Sequence, residues 1–309
     1  MTLSQLRYLV AVDTHRHFAR AAAACNVSQP TLSMAILKAE EEAGAPLFDR
    51  SRKPIRPTAL GVELLTQARV VLRESRRLDD VIAGSAGAVA GELQIGIIPT
   101  LAPYLLPWVT RRFADAYPLV SLSLHEMTTS DILAALASER IDAGLIATRE
   151  SLPGTVHRPL YNEEFVAYLS PDHRLARARS ISTKSLALED LWLLSEGHCF
   201  RRQVLDICGE GTHSCGPQRS VLFESGNLET LRHMVESSGG MTLLPRSAIF
   251  YLSPAQRKKF VRYLAPPAPH REVAMLYGRE VLKKHVIDAY VATLMRALPR
   301  EIAKIAGEA

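Results

Sequence analysis

The sequence is short of cysteine. Four in 309 residues are too few to staple a fold, and in a reducing compartment any pair is more reactive than structural. No Cys-x-x-Cys pair occurs, which argues against a disulfide oxidoreductase. No apolar run is long enough to span a bilayer: "IGIIPTLAPYLLPWV" (95–109) is broken by Gly, Pro and Thr. The opening "MTLSQLRYLVAVDTHRH" has no basic leader before an uninterrupted apolar core. A cytoplasmic protein with no membrane partner is expected. His125, His213 and His270 are scattered without metal-ligand spacing, so neither metal nor cofactor is expected. With 47% hydrophobic and 22% charged residues, the chain is neither disordered nor fibrous. Its length suits two or three domains.

The net charge is +5. Residues 1–90 hold 12 Lys and Arg against 9 Asp and Glu, and the rest hold 25 against 23. The densest cluster is "DRSRKPIRP" (49–57), with Arg50, Arg52, Lys53 and Arg56. Such a cluster attracts phosphates, or else it is a solvated loop.

Leu3, Leu6, Leu9 and Val10 fall at helical spacing, and "HFARAAAAC" (17–25) predicts a short Ala-rich helix. Ser28 is a natural N-cap, Pro30 fits a first turn, and Gly44 stops the helix that follows. Two short helices, a tight turn and a third helix make a helix-turn-helix. Pro54 and Pro57 suit a small β wing. Thr58 caps a long helix to about Ser85, with Gly61, Leu64, Ala68, Val71, Ser75, Leu78 and Ile82 as a seam for self-association. "GSAGAVAGE" (84–92) reads as a flexible linker.

Beyond Glu92 the pattern alternates: strand 93–99, helix 101–118, strand 120–126, helix 130–140 and strand 141–148. This predicts a parallel sheet with crossover helices. Strands at 163–170, 191–195, 240–245 and 273–278, with helices at 228–239 and about 280–297, extend it. The expected fold class is α+β multidomain: a winged helix-turn-helix (1–58), a linker helix and hinge (59–90), and a two-lobed α/β effector domain (91–309). Lobe I takes about 91–163 and 265–309, and lobe II about 164–264. Ligands collect between such lobes, at strand carboxyl ends and helix N-termini.

"LRYLVAV" (6–12), "HFARAAAACNVSQPTLS" (17–33), "LKAEEEAGAPLFDR" (37–50) and "PTALG" (57–61) resemble the LysR-type transcriptional regulators. The resemblance implies a DNA-binding regulator and not an enzyme. It also implies self-association as dimer or tetramer, double-stranded promoter DNA as partner, and RNA polymerase as a further one. The recognition helix would start at Ser28, placing Ser28, Gln29, Pro30, Thr31 and Ser33 in or beside the major groove. Gln29 suits an adenine edge, or merely solvates a helix terminus. Arg50, Arg52 and Lys53 would hold the DNA backbone.

"EGHCFRRQVLDIC" (196–208) narrows the resemblance to the family's hydrogen-peroxide-sensing branch, as do "IPTLAPYLLP" (98–107) and "SGNLETLRHMVESSGGMTLLP" (225–245). By that resemblance Cys199 is the thiolate that peroxide oxidises to sulfenic acid, and Cys208 resolves it to a disulfide. A thiol reductant would reset the pair. Cys199 opens a predicted helix, whose amide dipoles favour an anion. His198, Arg201 and Arg202 are expected to add positive charge. If 199–208 is helical, its ends stand about 13 Å apart, beyond the roughly 4.4–6.8 Å a disulfide allows, so bond formation requires unwinding. The same resemblance puts Thr100, Thr129, His198 and Arg271 around the peroxide; Thr100 would otherwise be a helix cap. Cys215 is an additional thiol that could compete as resolver, and Cys25 reads as core. Two alternatives stand beside this. One is a LysR-type regulator answering a small organic metabolite in the inter-lobe cleft. The other is a thiol peroxidase with an accessory DNA-binding domain.

Overall fold

The computed structural model describes every residue except 52–53, 86–88, 151, 189–190, 209–224, 280, 282 and 304–309, with the backbone alone at 73, 76–77, 79–85 and 303. It divides into two compact units, Met1–Ala88 and Val89–Ala309.

In the first unit, α1 (Leu3–His15) opens with a reciprocal Thr2–Gln5 capping box. Helix α2 spans Phe18–Ala24 and α3 spans Gln29–Ala43. Ser28 caps α3, Pro30 lies in its first turn, and Gly44 ends it at φ 72°, a left-handed conformation that glycine adopts without a Cβ penalty. Strands β1 (Phe48–Asp49) and β2 (Arg56–Pro57) pair antiparallel as a minimal wing. Helix α4 (Ala59–Ser85) has 27 residues, about 40 Å.

The seam expected on α4 is rotated. Leu65, Ala68 and Leu72 are buried with Leu9, Val12, Leu32 and Ile36. Gly61 lies so close to the chain that an added Cβ would stand 2.1 Å from the Leu47 carbonyl oxygen. Val71 and Leu78 are left exposed. The face 61-65-68-72 serves the unit's own core, so only part of the expected seam is free for a partner.

The second unit begins β3 (Gly91–Ile97), α5 (Ala102–Ala116), β4 (Val120–Glu126), α6 (Thr129–Ala137), β5 (Ala143–Ile146). Strand β3 pairs parallel with both β4 and β5, as a β-α-β-α-β chain predicts. The long β6 (Thr155–Leu169) is followed by α7 (Cys199–Cys208), α8 (Leu228–Ser238), β7 (Met241–Pro245), α9 (Pro254–Phe260), β8 (Val261–Tyr263), β9 (His270–Gly278), α10 (Lys284–Ala297) and α11 (Arg300–Ala303). The sheet order is β4-β3-β5-β9-β6-β7, with β8 also on β6. Strand β9 runs antiparallel to β5 and β6, so the sheet is mixed, not parallel throughout.

Strand β6 belongs to both lobes. Thr155–Glu164 pair with β9, and Phe165–Leu169 pair with β7. Two cores result. One gathers Leu93, Ile95, Leu105, Phe113, Ile132 and Tyr290; the other gathers Tyr168, Trp192, Phe200, Val204, Leu231 and Leu243. The strand expected at 191–195 makes only single bridges, Leu191–Met241 and Leu194–Ser225. Leu191 to Leu194 are all buried, so this apolar run is core filling and not a ladder.

Candidate functional site

Where β6 crosses β9, Glu163 stands directly opposite Arg271. Both are almost fully buried. Arg271 Nε and Nη2 donate to Glu163 Oε2 at 3.0 and 2.8 Å. Nη1 donates to Thr100 Oγ1 at 2.8 Å, and Nη2 also to the Thr100 carbonyl at 3.0 Å. Glu163 Oε1 accepts the Ser247 amide at 3.0 Å. The guanidinium lies 5.1 Å from the centre of the Phe200 ring, within cation–π range. A buried ion pair is tolerable only with its remaining lone pairs and protons largely satisfied, and here four of the five guanidinium N–H groups find acceptors. Burial drives the Tyr161 phenol well above its ordinary pKa; Glu163 pushes it further and Arg271 opposes.

Thr100 lies between the end of β3 and the start of α5. Because its oxygen accepts from Arg271, the hydroxyl keeps its hydrogen to donate. Thr129 opens α6, is buried, and its Oγ1 has no hydrogen-bond partner among the described residues. It is not the cap: Thr128 is, accepting from the Asp131 amide. An orphaned buried hydroxyl costs about 1–3 kcal/mol, so it marks a place where a polar guest is welcome.

Cys199 is the first residue of α7 and half-buried, and it packs on the first core. Phe200, its neighbour, is buried in the second, so the start of α7 straddles both lobes. Free amides at a helix N-terminus stabilise an anion there. Gln203 Nε2 donates to the Ala147 carbonyl at 2.6 Å, tying α7 to the end of β5. Gln203 Oε1 has no hydrogen-bond partner among the described residues. A cavity of about 230 Å³ is lined by Thr148, Asn162, Gln203, Arg271 and Glu272, among others.

His198 does not play the expected cationic part. Burial lowers its pKa, with Glu126 opposing, so the imidazole is neutral near pH 7 and offers one donor and one acceptor. Its ring lies beside Gly226, where a Cβ would come within 3.2 Å of Nε2. Glu126 ends β4, three residues before Thr129, so the charge that opposes this shift comes from the start of the β4–α6 turn. Arg201 donates to the Leu194 carbonyl at 2.8 Å, and Arg202 is exposed. Positive charge at the site comes from Arg271.

Cys208 closes α7, packed against the second core. Burial pushes its thiol up to about 11. Cys199 and Cys208 end the same ten-residue helix, so nine rises separate their Cα atoms by about 13 Å. Cys215 lies outside the described residues. Cys25 is half-buried beside the first unit's core.

On the first unit, Ser28, Gln29, Pro30 and Thr31 are exposed at the start of α3 and Ser33 is half-buried. Ser28 Oγ and Thr31 Oγ1 are 2.7 Å apart. Arg50 Nη2 pairs with Glu40 at 2.5 Å, and its guanidinium lies over Phe18. Glu40 in turn accepts the Leu47 and Phe48 amides. Arg50 thus braces the wing while keeping an exposed edge. Arg52 and Lys53 lie outside the described residues. Sequence reasoning missed Glu163 and Gln203. For Glu163 the available hint was an acid heading the apolar strand "EEFVAYLS".

Residues 3–62 match the family described as bacterial regulatory helix-turn-helix protein, lysR family, and residues 86–299 match the LysR substrate binding domain. The chain belongs to the LysR family. Within it, the chain falls among relatives named for OxyR. It is 36% identical to the hydrogen peroxide-inducible genes activator of Haemophilus influenzae, over 90% of each chain. It is 37% identical to the DNA-binding transcriptional dual regulator OxyR of Escherichia coli, over 90% of this chain and 89% of that one. Among solved structures, a full-length OxyR cysteine-to-aspartate variant from Pseudomonas aeruginosa matches with a TM-score of 0.74 at 33% identity, covering 95% of this chain and 97% of that one. A Corynebacterium glutamicum OxyR cysteine-to-serine mutant with hydrogen peroxide bound matches at TM-score 0.65 and 29% identity, covering 99% and 95%. The LysR family is one of DNA-binding transcriptional regulators, which is not an enzyme class. No described helix is long and apolar enough to cross a membrane.

Proposed function

We propose that this chain is a DNA-binding transcriptional regulator switched by hydrogen peroxide. The carrying observation is that one helix bears both thiols, one at each end, and that Phe200, directly after the first thiol, lies over the buried Arg271 guanidinium that also holds Thr100 and Glu163. The Cys199 thiolate attacks one peroxide oxygen. The O–O bond breaks, hydroxide leaves and Cys199 becomes a sulfenic acid. The sulfur of Cys208 then displaces that oxygen as water, and a disulfide forms. A dithiol reductant reverses this by exchange, leaving two thiols. Thr100 and Thr129 hydrogen-bond the peroxide, neutral His198 orients it, and Arg271 holds Thr100 in place while its charge favours the departing hydroxide.

The disulfide requires α7 to unwind, so its formation changes the second unit's shape. We assign residues 1–58 to DNA binding, 59–90 to linker and self-association, and 91–309 to sensing, with lobe I about 91–163 and 265–309 and lobe II about 164–264. Ser28, Gln29, Pro30, Thr31 and Ser33 face the major groove, and Arg50, Arg52 and Lys53 its phosphates. The protein works in the cytoplasm as a dimer or tetramer, recruits RNA polymerase to oxidative-stress promoters, and consumes one peroxide per switching event rather than turning over.

Peptide mapping after one equivalent of peroxide tests this. The expected product is a Cys199–Cys208 crosslink together with altered promoter binding. Cys199→Ser abolishes the response and leaves DNA binding intact; a surviving response refutes the assignment. Cys208→Ser stops at a sulfenic acid unless Cys215 substitutes. The metabolite reading rests on the polar cavity over Arg271, and a regulator of that kind would respond normally as Cys199→Ser.

A further inference from the structure

Two segments far apart in sequence meet in the second lobe. Residues 171–185 run beside α9 and β8. Ile181 bridges Leu264, the Ile181 amide donates to the Tyr263 carbonyl at 3.0 Å, and the Ala265 amide donates to the Ile181 carbonyl at 2.8 Å. Arg262 Nε donates to the Ala176 carbonyl at 2.8 Å, fastening the two together. Residues 171–185 and 254–263 carry eight Lys and Arg and one acid, Asp172. The local balance is therefore +7 against +5 for the whole chain, and everything else sums to a small negative charge.

Arg177, Arg179, Lys184, Lys258 and Lys259 are exposed, and none forms an ion pair with another described residue. Like charges gathered this way repel and work against the compact state; Lys259 lies over the Phe260 ring, and none of the other four has an ion pair with a described residue to offset that repulsion. The face also lacks an apolar centre. Tyr263 is the one large exposed hydrophobic in these segments among the described residues. Protein interfaces are built around desolvated apolar centres, whereas a duplex backbone demands only cations, and the guanidinium fork of arginine fits phosphate.

We propose that this basic pole is a second duplex-binding face, which holds phosphates of promoter DNA without reading bases. It rests on the chain being a DNA-binding regulator. The test uses the full-length reduced protein and a variant carrying Arg177→Gln, Arg179→Gln, Lys184→Gln and Lys258→Gln. Two long duplexes serve as probes: one selected by the protein from a random pool, and one of mixed sequence. Affinity is measured from about 50 to 200 mM salt, the range over which phosphate contacts declare themselves. The slope of log affinity against log salt should become shallower by roughly 3–4 for four lost contacts, on both duplexes, with the preference between them unchanged. Lysine in place of Arg177 and Arg179 should keep the slope. An unchanged slope overturns the proposal, and so does an unchanged slope with impaired polymerase recruitment, which would assign the pole to an acidic protein. Gln29→Ala should instead erase the preference and spare most of the slope. If the unsubstituted protein binds neither duplex, the regulator reading fails, not the pole alone.

Discussion

Replacing Glu163 by alanine leaves Arg271 charged, nearly fully buried and without its carboxylate. It also orphans the Ser247 amide. Breaking one side of a buried pair costs about 3–5 kcal/mol. In a unit this size each kcal/mol lowers the melting temperature by about 2–4 °C, so a drop of roughly 6–20 °C is expected. Trp108 and Trp192 are the two tryptophans, and both lie in the second unit, so intrinsic fluorescence follows that unit's melting. Arg271→Met alone should also destabilise, since it strands Glu163. The double variant should recover part of the loss, because replacing both charges removes the desolvation penalty along with the attraction. A double-mutant cycle reads the coupling directly. A shift below about 2 °C for Glu163→Ala, well under the loss of a buried partner, would refute the reasoning, as would additivity in the cycle. Cys199 oxidation, followed in the same samples, should slow in Glu163→Ala, because Arg271, which holds the Thr100 hydroxyl, loses its own anchor.

Cys208 ties stability to alkaline pH. Its folded-state pKa, about 11, lies above its ordinary value near 9, so the folded form holds this proton more tightly than the unfolded one. Its contribution is whole below about pH 9 and is lost as pH rises towards 11; denaturant titrations should show a decline in that window that Cys208→Ser removes. Gly61→Ala forces a methyl against the Leu47 carbonyl, a backbone atom with no rotamer to change. It should cost the first unit about 1–3 kcal/mol and weaken DNA binding while leaving Cys199 oxidation at its normal rate; intact DNA binding at 37 °C with unchanged unfolding would contradict the close approach.

Local chemistry carries much of the fold. Ser28, Pro30 and Gly44 bound α3 as their side chains and φ preferences require, and the alternating run at 120–126 is β4 residue for residue. What stays hidden is phase and partnership. Glu163 and Glu164 are adjacent and chemically identical, yet a strand puts them on opposite faces. One is buried on Arg271, and the other bonds Arg246 in partial exposure. Which is which depends on the register with β9, a contact more than a hundred residues away. The same holds on α4, where Leu64 and Leu65 differ by one step and packing in the first unit's core decides which is fully buried. His198 misleads for a related reason: neighbouring arginines suggest charge, whereas burial, invisible in the sequence, lowers its pKa.

Placing both thiols on one helix is what makes the reaction informative. Were Cys208 already within bonding distance, oxidation would change a bond and little else. Because α7 holds it about 13 Å away, closing the bond means surrendering helix hydrogen bonds and lifting Phe200 and Val204, both nearly fully buried, out of the second core. Each such side chain is worth about 1.5–3 kcal/mol of burial, so the reduced helix resists accidental unwinding. The same burial keeps Cys208 protonated while α7 is intact, and a protonated thiol is a poor nucleophile. Unwinding removes both obstacles at once: it brings the sulfur into range and returns it to a setting where it ionises readily. Sulfenic acid at Cys199 is then resolved only by a chain that has already begun to change shape, which couples the chemistry to the conformational signal without a separate relay.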